Sequence, residues 1–250
     1  MDRNQLIDAV VAQVAARLRA VPAQGEARLE PSELAKFIDA ACLRPEAATA
    51  SLDRLCEDAA RFGFHGVCVN PCRVAYVARR LQGTDVRVCS VAGFPLGAST
   101  PRVKAFEARE AVSDGASEVH AMINIGLLRS KDYRGVEEDI RAVRRATRRT
   151  TILNVVVEMA LLTEEEKVLA CELSRKAGAD FLTTSTGFLG GTATAADLVL
   201  MKRVAGKGVG LSAAGVRNLR TAVALIAAGA DRIGTAAGAR ILEEASGPGE

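Results

Sequence analysis

The stretch that decides the fold runs Ile152-Leu-Asn-Val-Val-Val157, then Thr163-Glu-Glu-Glu166, then Asp180-Phe-Leu-Thr-Thr184. A β-branched run is followed by a helix start and by a second apolar run, which is the pattern of a βαβ unit in a parallel sheet. Thr163 with Glu166 has the spacing of a capping box, and Thr194 with Asp197 places a capping oxygen three residues before an acid in the same way. Working outward, the same alternation covers the chain from about Leu34. The predicted strands are Ile38 to Leu43, Gly66 to Val69, Val86 to Val91, Glu118 to Ile123, Ile152 to Val157, Asp180 to Thr184, Gly208 to Ala213 and Asp231 to Gly234. Eight strands interleaved with helices in about 220 residues predict an α/β fold of the (β/α)8 TIM-barrel type, not a doubly wound sheet.

Composition narrows the function classes. The 250 residues are 49% hydrophobic and 25% charged, enough to bury a large core and too apolar for disorder. No apolar run approaches the roughly 20 residues of a membrane-spanning helix, and the N-terminus lacks a signal peptide's apolar stretch, so a soluble cytoplasmic protein is expected. Six scattered cysteines without CxxC or zinc spacing read as reduced, mostly buried thiols. The 33 basic residues are offset by 30 acidic ones, and there is no Trp to stack bases. Neither nucleic acid nor a membrane is an expected partner.

Residues 1–20 stand apart. Leu6, Ile7, Val10, Val11, Val14 and Leu18 form one apolar stripe, with Arg3, Asp8, Gln13 and Arg17 elsewhere on the wheel, which predicts an appended amphipathic helix. Residues 21–30, with Pro22 and Gly25, read as a linker, and residues 31–250 as the barrel. The helix and linker together look like the encapsulation peptides that dock enzymes inside bacterial microcompartment shells. An extra helix packed on the barrel or in a homodimer interface is the competing reading.

Catalytic side chains of such barrels sit at the C-terminal ends of the strands. There the chain resembles deoxyribose-phosphate aldolases over essentially all of residues 34–243. The matching segments are Phe64-His-Gly-Val-Cys-Val-Asn-Pro71, Val91-Ala-Gly-Phe-Pro-Leu-Gly97, Ile123-Asn-Ile-Gly126, Thr184-Ser-Thr-Gly-Phe188 and Gly229-Ala-Asp-Arg-Ile-Gly-Thr235. The resemblance implies a class I aldolase barrel that needs no cofactor or metal, tends to dimerise, and splits 2-deoxyribose 5-phosphate through a lysine Schiff base.

Three positions depart from the family. Its nucleophilic lysine opens Lys-Thr-Ser-Thr-Gly, and here Thr183 stands in that place; an iminium needs a primary amine. Counting back from Gly215-Val-Arg217 puts Leu211 at the second lysine, which lowers the pKa of the first, and His120 replaces the proton-transferring aspartate. On strand one, Asp39-Ala40-Ala41 replaces Asp-His-Thr. Of the seven lysines, only Lys104 and Lys131 follow strands in a way that would bring them near the barrel mouth. The expectation is a pseudoenzyme, inactive as a Schiff-base aldolase and kept as a binder of a small phosphorylated ligand or as a scaffold. A working aldolase would need an amine recruited from elsewhere.

The phosphate end is better kept. By resemblance Gly187, Ala214, Gly215, Val216 and Gly234 form the backbone cradle, with Arg217 at its motif position and Ala236-Ala237 in place of a Ser pair. The competing reading is tight turns alone. Cys68 and Asn70 match pocket-lining positions, against a small buried hydrophobe and a cap before Pro71. His120 beside Glu158 reads either as an acid–base pair of a repurposed sugar-phosphate lyase or isomerase, or as a hydrogen-bonded core histidine. A metal at His120, Glu158 and Cys68 is not expected, since one histidine rarely suffices for a catalytic zinc.

Overall fold

The computed structural model describes residues 29–247. The expected amphipathic helix at 1–20 and nearly all of the linker lie outside the described residues.

Eight parallel strands close on themselves in sequence order. They are β1 (Ile38–Cys42), β2 (Gly66–Val69), β3 (Arg87–Ala92), β4 (Glu118–Met122), β5 (Ile152–Val156), β6 (Phe181–Thr183), β7 (Gly210–Ala214) and β8 (Arg232–Thr235). The β1–β8 pairing, Asp39 beside Gly234, completes the ring. The expected strands are all present, with ends moved by a residue or two.

Helices cover the outside: α1 (Pro31–Ala35), α2 (Thr49–Phe62), α3 (Val74–Arg80), α4 (Pro101–Ser113), α5 (Ile125–Arg129), α6 (Tyr133–Ala146), α7 (Glu164–Lys176), α8 (Ala195–Ala205), α9 (Leu219–Ala227) and α10 (Gly238–Ser246). The cap spacings act as expected. Thr163 accepts from the Glu166 amide while the Glu166 side chain accepts from the Thr163 amide, and Thr194 accepts from the Asp197 amide.

Alternation along each strand sorts side chains into two layers. Val67, Val119, Val155, Leu182, Leu211 and Ile233 are fully buried between sheet and helices and form part of the main core. The opposite faces point inward, and this inner layer is polar to an unusual degree, holding Asp39, Glu118, His120, Asn154, Thr183, Ser212 and Arg232. A buried polar layer of this kind must satisfy itself by hydrogen bonds and paired charge.

Lys104 corrects an expectation. It does not approach the barrel mouth but lies 1% exposed under α4, with Nζ donating to Asp139 Oδ2 of α6 at 2.5 Å and to the Met122 carbonyl at 2.8 Å. Burial lowers its pKa, and burial also raises that of Asp139. The pair fastens α4 to α6 and has no access to ligand. Lys131 follows α5 in a left-handed backbone conformation and is exposed.

Candidate active site

A cavity of about 910 Å³ opens at the C-terminal ends of the strands, where barrel loops converge. Its floor is made by Asp39, Cys68, His120, Thr183 and Ser212. Its rim on one side is made by Gly187, Ala214, Gly215, Val216, Arg217, Gly234, Ala236 and Ala237. Phe94 and Phe188 meet edge to face across another part of the wall, ring centres 5.3 Å apart.

The floor is a single hydrogen-bonded chain. Thr183, 2% exposed, donates from Oγ1 to Asn154 Oδ1 at 2.7 Å, and Asn154 Nδ2 donates to Glu118 Oε1 at 3.3 Å. His120 Nε2 lies 2.8 Å from the same Glu118 oxygen. Arg232 Nη1 sits 3.4 Å from Asp39 Oδ2 and 3.7 Å from Glu118 Oε2, with its guanidinium 4.7 Å above the Phe181 ring. Burial works against the Glu118 carboxylate, yet the bond to His120 and the nearby cations bring it down to about 2. It is therefore the acceptor, and His120 Nε2 carries the proton. Burial likewise opposes a charged His120 ring, but Glu118 and Asp39 outweigh it and raise its pKa. Burial, followed by the charge on Glu118, raises Asp39 to about 6.

Two site expectations change with this geometry. Leu211, taken as the second lysine position, is fully buried and faces the helices; Ser212, its neighbour, lines the cavity and pairs in register with Thr183. The β7 side chain that faces the cavity beside Thr183 is therefore Ser212, not Leu211. The partner of His120 also changes. Glu158 is fully buried outside the cavity and holds the β6 loop, accepting from the Thr186 amide at 2.7 Å; the carboxylate beside His120 is Glu118. Strand alternation alone could have found Glu118, two residues before His120 on the same face.

Asn70 also leaves the site. Its Nδ2 donates to the Leu43 carbonyl at 3.1 Å, tying the ends of β1 and β2, and it neither lines the cavity nor caps the turn with its side chain. Cys68 does line the cavity and is 3% exposed.

The cradle is set by backbone. Gly187 and Gly215 both have positive φ, 77° and 80°, and a methyl group on Gly187 would lie 3.5 Å from the Gly215 Cα, so the two loops meet through glycines. The α9 N-terminus is already capped by Asn218, and Glu244 accepts from the Leu219 amide. The α10 N-terminus has no side-chain cap, and Ala236, Ala237 and Arg240 beside it face the cavity. The Ala237 amide donates to Thr235 Oγ1 at 2.9 Å, and the amides of the first helical turn beyond it, with Arg217 and Arg240, suit an anion.

A closed parallel barrel with a polar cavity and an anion-suited cradle at its C-terminal face defines the class as a (β/α)8 barrel with a ligand site at that face. The comparisons carry this further. A model of the DeoC/LacD family aldolases matches residues 34–244, so the chain belongs to that family. It is 50% identical over 216 residues to a deoxyribose-phosphate aldolase of Clostridium perfringens, covering 86% of this chain and 96% of the relative. Among solved structures, "QR15, an Aldolase" is 38% identical with TM-score 0.81, covering 85% of this chain and 95% of that one. A tetrameric deoxyribose phosphate aldolase from Aeropyrum pernix is 29% identical with TM-score 0.81, covering 88% and 94%.

Proposed function

We propose that this chain is a deoxyribose-phosphate aldolase homologue that binds a small phosphorylated ligand in its barrel without forming a lysine Schiff base. The observation that carries the reading is Thr183. At the family's nucleophile position it offers a hydroxyl already committed to Asn154, and among the described residues no lysine lines the cavity. Without an amine there is no iminium and no electron sink for the carbanion. The cradle supports the binding half of the reading, through Gly187, Gly215, Gly234 and the α10 amides.

Borohydride trapping tests it. Incubated with 2-deoxyribose 5-phosphate and borohydride, the protein should show no added mass, while calorimetry with the same compound should show saturable binding that weakens in Arg217→Ala. A covalent adduct on any lysine would overturn the reading.

The stripe of residues 1–20 supports a second part: an address helix that docks on a microcompartment shell or on a second copy of the chain, in the cytoplasm or within such a compartment.

A further inference from the structure

We propose that Cys89, Glu118 and His120 form a binding site for one zinc-class divalent metal ion beneath the cavity floor. Cys89 Sγ, a Glu118 carboxylate oxygen and a His120 ring nitrogen lie within 4.8 Å of one another. The grouping is imposed by the sheet: Cys89 of β3 pairs in register with Glu118 of β4, and His120 follows two residues later on the same face. Bonds of about 2.0 Å to nitrogen and oxygen and about 2.3 Å to sulfur place tetrahedral ligand atoms roughly 3–4 Å apart, so small side-chain movements close this cluster on an ion.

The surroundings have charge for a cation. Glu118 Oε2 and Asp39 Oδ1 are buried without a hydrogen bond. A methyl group built on Gly66 would lie 2.9 Å from Asp39 Oδ1 and 3.4 Å from Cys89 Sγ, so this glycine lets both atoms pack closely against the β2 backbone, beside one another. Binding displaces the Cys89 thiol proton to solvent, while neutral His120 keeps its single ring proton on the nitrogen that does not face the ion. Two carboxylates and one thiolate then face the dication and Arg232, and the buried charge balances.

The donor set selects the metal. A thiolate and an imidazole favour zinc over magnesium or calcium, which prefer oxygen alone. Three protein ligands leave a fourth position on the His120 side, where the cavity begins and Cys68 and Asp39 stand in its wall. This trio is not the His120, Glu158 and Cys68 set considered from sequence, and it lies away from the glycine cradle.

Cobalt substitution tests it on the full-length chain without an affinity tag, stripped with chelator and titrated with Co²⁺. One ion should bind per chain, with the visible bands of a four-coordinate site and a thiolate-to-cobalt charge-transfer band, both bleached by Zn²⁺. Cys89→Ser should lose the charge-transfer band, and His120→Ala should bind at least about 10-fold more weakly. Exposed Cys72→Ser and His65→Asn should change neither. No saturable binding, or a charge-transfer band that survives Cys89→Ser, overturns the proposal. Should Cys89→Ser fail to fold, X-ray absorption of the zinc-loaded wild-type protein decides: one sulfur at about 2.3 Å supports the site, and a shell of nitrogen and oxygen alone overturns it.

Discussion

Thr183 and Ser212 stand opposite each other in the register of β6 and β7, and both face the cavity floor. Under the proposed reading they stand where an aldolase of this family would set a nucleophilic lysine beside a second cation. Restoring one amine should therefore not restore the chemistry. Thr183→Lys alone should show no appreciable cleavage of 2-deoxyribose 5-phosphate, because a lysine held two pKa units above working pH is only about one per cent nucleophilic. Adding Ser212→Lys and His120→Asp should bring measurable turnover and a borohydride-trappable adduct, whereas pairing Thr183→Lys with Leu211→Lys should not. Turnover assays on these variants check the assignment of Ser212 directly.

Lys104→Met should destabilise the fold strongly. It leaves Asp139, 1% exposed between α4 and α6, without its ammonium partner, a loss of about 3–5 kcal/mol for a broken buried pair. Thermal unfolding should fall by about 10 °C. The double variant Lys104→Met/Asp139→Leu should recover part of this, because no unpaired charge remains.

His65 should make stability depend on pH in a narrow window. Burial, helped by the charge of Arg232, lowers its pKa from 6.5 to about 4. The folded value lies below the unfolded one, so the unfolded chain takes up the proton first. The neutral ring's contribution is intact above pH 6.5 and is lost as pH falls from 6.5 towards 4. Melting temperature against pH should fall less steeply across that window in His65→Asn than in the wild-type protein.

The Thr163 capping box should contribute measurably, though modestly. Thr163→Ala removes the oxygen that accepts from the Glu166 amide and should cost about 1 kcal/mol, read as a small shift in the denaturant midpoint with an unchanged slope.

Deleting residues 1–20 should leave the melting temperature within a few degrees of the full chain and reduce self-association in light scattering. Their apolar stripe needs a partner surface, which under the proposed reading is a shell or a second chain and not the barrel core. A melting drop greater than about 10 °C would place the helix in the core instead.

The sequence by itself determined the barrel. Strand spacing, capping oxygens at Thr163 and Thr194, and apolar alternation are local signals, each set by propensity and period within a few residues. It also placed Thr183 directly before the Thr184-Ser-Thr-Gly187 run, on which the proposed loss of the family's nucleophile rests. The tertiary structure alone decided which neighbours meet. Near Leu211 and Ser212 the alignment can slip by one residue, and a one-residue slip turns a side chain from cavity to core, so only the closed sheet places Ser212 inside and Leu211 outside. Sequence alone pairs His120 with Glu158; the ring meets Glu118, two residues earlier on the same strand face, while the left-handed turn at Glu158 carries that residue away to the Thr186 amide. Lys104 follows strand three as a mouth residue would, yet the packing of α4 on α6 buries its ammonium against Asp139. The Lys104–Asp139 and Glu158–Thr186 pairings join residues tens of positions apart, and they exist only once the ring of strands has closed and its helices have packed on it.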